Sequence, residues 1–148
     1  MYRDLKPENV LMFDNGYVKI TDFGLAKKSE EDQVSKTISG TPFYYAPEMI
    51  LKTGYKMGID FWTLGVYLYE LSVLEPPFST EQINRHKFKK VCLDAEANRQ
   101  WKGAILSDDL KSLINGLLKF NPEERLGFNG WNEVKQHAFF KDFDWQAL

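Results

Sequence analysis

"YRDLKPEN", residues 2–9, decides how the rest of this 148-residue chain is read. It gathers Arg3, Asp4, Lys6, Glu8 and Asn9 around Pro7 in one short stretch. So many charges exclude a core strand, and the proline argues against a helix interior, so the stretch is a rigid, charged loop. Next along the chain, Val10-Leu11-Met12-Phe13 is a short apolar run, and Asp14-Asn15-Gly16 comes after it. Asn-Gly is a strong hairpin turn signal, and Tyr17-Val18-Lys19-Ile20 reads as the returning strand. The hairpin brings the chain back near its start and delivers Thr21-Asp22-Phe23-Gly24 close to Asp4 and Asn9.

Beyond the hairpin the pattern turns helical. Residues 28–41 are polar, without periodicity, and read as a long surface loop. Pro47 stands at the first position of a short helix. A nearly all-round apolar helix spans about 57–74, a mixed helix 80–93, and a last helix 131–137. Ser107 caps another helix, with Leu110, Leu113, Ile114, Leu117 and Leu118 on one face. The expected fold is mostly α with one small β-hairpin, without repeats or a second domain.

Composition narrows the function classes. The chain is 43% hydrophobic and 27% charged, a globular balance, and its net charge of −2 offers no general attraction for nucleic acid or anionic membrane. The apolar helix carries Asp60 and Glu70 and ends at Glu75-Pro76-Pro77, so it is a buried helix and not a membrane span. The single cysteine, Cys92, excludes an internal disulfide and reads as a buried apolar residue. With no secretory signal visible, a cytoplasmic or nuclear location is expected. Trp62 reads as packing, and His86 and His137 as non-catalytic. The run Ser29-Glu30-Glu31-Asp32 reads as a solvated loop.

The charged loop then becomes chemistry. Asp4 and Asn9 lie five residues apart, with Lys6 between them, and Asp22 comes after the hairpin. A carboxylate and an amide carbonyl are hard oxygen ligands of the kind Mg²⁺ takes; a second carboxylate can serve as base, and a lysine can meet a phosphate. An Asp and an Asn at fixed spacing are weak evidence alone, arising by chance about once per 400 positions. An Asx-turn residue after a strand is the plain structural reading of Asp22. The conjunction with Arg3, Pro7 and Asp22-Phe23-Gly24 is far more specific.

These motifs resemble the eukaryotic protein kinases. "YRDLKPENVL" is similar to their catalytic loop, with Tyr2 where most families carry His; "DFG" stands at 22–24 and "APE" at 46–48. Tyr2, "SGTPFYYAPE", "NPEERLG" (121–127) and "HAFFKDFDW" (137–145) resemble the AGC group of Ser/Thr kinases. Residues 84–104 depart most from that pattern. The resemblance covers essentially the whole chain. It implies a partial kinase domain, the large lobe, over about 1–140, and the start of an AGC-type extension over 141–148.

It also implies roles. Asp4 accepts or orients the proton of the substrate hydroxyl, Lys6 steadies the γ-phosphate of ATP, and Asn9 and Asp22 hold Mg²⁺. Thr41 hydrogen-bonds near Asp4 and Lys6. Gly24, Glu48, Asp60 and Arg125 are structural, with Glu48 paired to Arg125 and Asp60 accepting from the backbone at Tyr2 and Arg3. Thr37 is the expected activating phosphosite, gripped by Arg3 and Lys27. Glu8 and Glu70 receive arginines ahead of the target Ser or Thr, and Ile38, Pro42 and Tyr45 line an apolar pocket for the residue after it. Phe43, where cyclic-nucleotide-dependent kinases carry an acid, weakens or shifts that preference. The plainer alternative leaves Glu8 solvated and Glu70 in a structural pair.

The resemblance sets a boundary too. The Gly-rich loop, strand lysine, helix glutamate and adenine hinge of a kinase small lobe are not found in these 148 residues. The expected partners are therefore protein substrates, ATP, and a small lobe or regulatory region upstream of Met1. A non-catalytic binding or scaffold module is the competing reading. A further expectation is an apolar patch along the 57–74 helix, left bare by the absence of the helix that precedes a catalytic loop in that family.

Overall fold

The computed structural model describes residues 1–28 and 34–147. A single 3-10 turn at Pro7–Asn9 leads into β1 (Val10–Met12), which pairs antiparallel with β2 (Val18–Ile20). Val10 stands opposite Ile20 and Met12 opposite Val18. The Asp14-Asn15-Gly16 connection closes with Gly16 N–H donating to the Phe13 carbonyl at 2.9 Å. The hairpin is the one the sequence predicts, each strand a residue shorter.

Among the described residues five α-helices follow: α1 (Pro47–Leu51), α2 (Gly58–Val73), α3 (Phe88–Ala97), α4 (Asp108–Leu117) and α5 (Trp131–Lys135). The architecture is mostly α with one hairpin, as composition and periodicity indicate. α2 is the axis of the core. Its Ile59, Phe61, Trp62, Val66 and Tyr69 are all buried. α4 lies against it so closely that a Cβ on Gly65 would stand 2.9 Å from the side chains of Leu117 and Leu118. Trp62 stacks on Phe78 at 5.8 Å between ring centroids, and the Arg125 guanidinium lies 5.2 Å from its ring. Trp62 is therefore a packing residue.

α4 begins where its cap predicts. Ser107 Oγ accepts from Leu110 N–H at 3.2 Å, and Asp108 and Asp109 place negative charge at the positive end of the helix dipole. Leu113, Ile114, Leu117 and Leu118 are buried and Leu110 packs against them.

Two helix boundaries differ from expectation. α3 starts at Phe88, not at 80, and extends to Ala97. Ahead of it, Gln82 Oε1 accepts from Ser79 N–H at 2.8 Å and Asn84 Oδ1 from His86 N–H at 3.0 Å. Those side chains hold backbone donors in turns and compete with the helical ladder. α5 ends at Lys135; beyond it His137 Nδ1 accepts from Phe139 N–H at 3.2 Å, capping a last 3-10 turn. His137 thus has a structural task.

Cys92 is buried in α3, as expected, and burial pushes its thiol up to about 12. The described part of the long loop, residues 34–41, contains one isolated bridge, Ser35 to Tyr55. The acidic run at 29–32 lies outside the described residues. The bare face expected along 57–74 is confined to the ends of α2, with Met57 exposed before its start and Leu71 and Leu74 at its end. The larger exposed apolar surface belongs to the hairpin and to the 3-10 turn after it, with Met12 83% and Phe23 64% exposed, beside Leu11, Val18 and Ile20. A two-stranded ribbon is too thin to bury side chains on either face, whereas α2 is already covered by α4. No helix among the described residues is long and apolar enough to cross a membrane.

Candidate active site

The charged loop is fixed from beneath by α2. Asp60, in the first turn of that helix, accepts from Tyr2 N–H at 2.8 Å and from Arg3 N–H at 2.9 Å. Its carboxylate is thereby satisfied, which a half-buried charge requires. The bonds also hold Arg3 at φ +72°, a left-handed conformation that costs a non-glycine residue about 1–2 kcal/mol. Arg3 Nε donates to the Leu25 carbonyl at 2.7 Å, and the Tyr2 hydroxyl donates to the Thr21 carbonyl. Burial raises the Tyr2 phenol above its ordinary value. The loop is thus clamped to the segment beyond the hairpin.

On this base Asp4 is the centre of a polar cluster. It is buried, and three side chains converge on its carboxylate. Thr41 Oγ1 donates at 2.9 Å, Asn9 Nδ2 at 3.0 Å, and Lys6 Nζ lies at 3.1 Å. Lys6 also donates to Thr41 Oγ1 at 3.0 Å. The bond to Asp4 holds the Lys6 ammonium above its usual range, so Lys6 stays charged. Thirty-seven residues separate Asp4 from Thr41, so the fold, not sequence proximity, closes this triangle.

Asn9 is oriented twice, donating to the Asp4 carbonyl at 2.9 Å as well as to its carboxylate. Both contacts use the amide nitrogen, which leaves the amide oxygen for a cation. Thr21 N–H donates to the Asn9 carbonyl at 2.9 Å, and this seats Asp22 beside the loop. Asp22 takes φ +55°, and its Oδ1 accepts from Gly24 N–H at 3.1 Å. The Asx turn is therefore real, and it leaves the second carboxylate oxygen without a hydrogen-bond partner among the described residues. No group of three His, Cys, Asp or Glu side chains that could hold a metal occurs among the described residues. One amide and one carboxylate oxygen suit Mg²⁺, which keeps waters and takes its remaining ligands from phosphates.

Opposite this cluster runs the loop around Thr37. Thr37 is exposed, and its carbonyl accepts from the Tyr55 hydroxyl. Arg3 NH1 donates to that same hydroxyl at 3.2 Å, and Lys27 Nζ donates to Ser35 Oγ at 3.4 Å. Of the two cations expected near Thr37, Lys27 thus reaches the loop at Ser35 and Arg3 reaches Thr37 through the Tyr55 hydroxyl. Sequence reasoning did not single out Tyr55; nothing in the local pattern around it marks a residue whose partners lie 18 and 52 positions away.

Tyr44, also missed, donates to Glu70 Oε2. Burial, then that bond and the nearby Glu70 and Glu8 charges, push the Tyr44 phenol far upward. Glu8 is exposed, and Glu70 has the structural pair that the plainer reading anticipates, with its other oxygen unbonded among the described residues. Ile38 and Pro42 are exposed, and the hydroxyl of half-buried Tyr45 donates to the Gly40 carbonyl at 3.0 Å.

Deeper, Glu48 and Arg125 form the expected pair. Arg125 NH1 and NH2 meet the two carboxylate oxygens at 2.8 and 3.0 Å, a two-pronged contact. Arg125 also donates to the Gly58 and Lys119 carbonyls, so a nearly inaccessible charge is bonded through all three of its nitrogens.

Comparison with known proteins agrees with this geometry. The protein kinase domain family matches residues 1–140. Over the whole chain the sequence is 42% identical to Protein kinase 2 of Dictyostelium discoideum, of which it spans 30%. It is 42% identical to serine/threonine-protein kinase gad8 of Schizosaccharomyces pombe, spanning 25% of that protein. It is 41% identical to cGMP-dependent protein kinase 2 of Mus musculus, spanning 19%. The chain therefore covers less than a third of the length of each of these relatives. By motif and similarity, this chain belongs to the protein kinase domain family, and the proteins it resembles along its whole length include named serine/threonine-protein kinases.

Proposed function

We propose that these 148 residues act as the large lobe of a kinase that transfers the γ-phosphoryl group of ATP to serine or threonine in protein substrates. One observation carries the reading: Asp4, Lys6, Asn9 and Thr41 are interlocked at 2.9–3.1 Å around one carboxylate. A module without chemistry has no physical need for a buried acid, a lysine and an oriented amide together at a surface loop. Asp4 orients the incoming hydroxyl and receives its proton. Thr41 and Asn9 keep the Asp4 carboxylate aimed, and Lys6 offers its charge to the transferring phosphate. Asn9 and Asp22 supply the oxygens that would hold Mg²⁺, which neutralises charge on the ATP phosphates when bound. A phosphate on Thr37, answered by Arg3 and Lys27, would order the loop over Asp4.

Substrate choice rests on Glu8 and Glu70, the two acids whose charges reach Tyr44. Glu8 and the unbonded oxygen of Glu70 form an acidic wall suited to arginine ahead of the target residue. Ile38, Pro42 and Tyr45 offer an apolar seat for the residue after it. Peptide arrays phosphorylated by the complete kinase that contains this chain test the reading. Arginine upstream of the target is expected to raise turnover, and Glu70→Gln to remove the gain. Equal turnover with arginine or alanine upstream would overturn the substrate assignment. Absence of any phosphoryl transfer by the complete protein would favour a scaffold module instead.

A further inference from the structure

We infer that Tyr55 is a positioning residue whose hydroxyl ties the loop at Thr37 to the turn carrying Asp4 before any phosphate is present. The inference rests on the kinase reading for its consequence in turnover, but the tether itself stands on geometry. Tyr55 is 3% exposed, and its hydroxyl sits between two segments, accepting from Arg3 NH1 at 3.2 Å and donating to the Thr37 carbonyl. Arg3 precedes Asp4 and is the strained residue of the turn.

The backbone around Tyr55 is shaped for the same purpose. Ser35 and Tyr55 exchange N–H to carbonyl bonds, both at 2.9 Å, and Ser35 is 2% exposed. Beside them Gly54, at φ +92°, lets the chain at Val34 approach so closely that a Cβ there would lie 2.5 Å from the valine side chain. At the other end of the segment, Gly40 packs over the Arg3 carbonyl, where a Cβ would lie at 2.5 Å. The segment 35–41 is therefore pinned at both ends, and the Tyr55 hydroxyl supplies the bond in the middle. A phosphate on Thr37 would compete for the same Arg3 guanidinium, so the hydroxyl and the phosphate are alternative partners for one cation.

Two measurements test this. Hydrogen exchange on the chain compares Tyr55 with Tyr55→Phe, which keeps the buried ring. Amides of residues 35–41 are expected to exchange about tenfold faster in the variant, the weight of one ordinary hydrogen bond, with α4 unchanged. In the complete kinase, Tyr55→Phe is expected to lower kcat about tenfold when Thr37 is unphosphorylated, and less than about threefold when it is phosphorylated, with KM for ATP unmoved. Unchanged exchange at 35–41 overturns the tether. An equal kcat loss in both phosphorylation states overturns the positioning role, because a merely structural residue would not distinguish them. If the parent enzyme transfers no phosphate in either state, the kinase reading fails while the exchange result still decides the tether.

Discussion

The interior around α2 and the front face around the hairpin are built on opposite terms. Inside, Trp62, Val66, Ile114, Leu117 and Leu118 are wholly buried, and the Glu48–Arg125 pair is joined at both carboxylate oxygens. At the front the order is reversed: the polar residues are interlocked while apolar side chains such as Met12 and Phe23 face solvent. Stability comes from burial in the first region and from hydrogen bonds to α2 in the second. The charged loop is thus held by bonds within this chain, whereas the apolar side chains beside it stay exposed. On the reading proposed above, that surface is where the small lobe and its nucleotide would meet the loop.

The contrast can be broken first at Asp4. Asp4→Asn in the complete kinase is expected to lower kcat about a thousandfold, the scale of a lost general base, while the melting temperature hardly moves. A variant that keeps substantial turnover would detach the cluster from the chemistry. The mirror experiment is in the interior. Arg125→Met leaves Glu48 buried without its partner and strips the cation from the Trp62 ring. Urea unfolding should show a loss of about 3–5 kcal/mol. A loss under about 1 kcal/mol would mean that the interior tolerates an unpaired acid and is less committed than its geometry implies.

The exposed apolar front predicts association. The 148-residue chain should self-associate and bind hydrophobic dye, and Met12→Lys with Phe23→Lys should shift it toward monomer in sedimentation. A wild-type chain that sediments as a monomer and leaves the dye dark would show that the patch is tolerated in water. The smallest effect concerns Cys92. Its thiol is pushed up to about 12 by burial, so the protonated form is favoured by folding. That contribution is intact below the free value of 9.0 and is lost as pH rises from there toward 12. At pH 8, alkylation of the folded chain should be far slower than in urea. Equal rates would place Cys92 in an open part of the fold.

Much of this was legible from the chain itself. Asn15-Gly16 between two apolar runs specified the hairpin, because a turn and its strands are neighbours in sequence. Ser107 and the leucine spacing specified α4, because capping and amphipathic periodicity act within a few residues. The polar cluster around Asp4 was legible for the same reason in part: Asp4, Lys6 and Asn9 share one loop. The pairing of Glu48 with Arg125 and the anchoring of the loop by Asp60 were anticipated only through resemblance, since those partners lie 77 and 58 positions apart.

The order of residues along the chain was therefore enough for the local inventory: which turns, caps and helical faces form, and which donors and acceptors the charged loop carries. It took the packed fold to start α3 late, to close Thr41 on Asp4, and to bring the Tyr55 and Tyr44 hydroxyls to Thr37 and Glu70. The divide is one of range. Backbone turns and periodic faces are short-range preferences, whereas a buried hydroxyl's partner depends on which surfaces meet once the helices have packed.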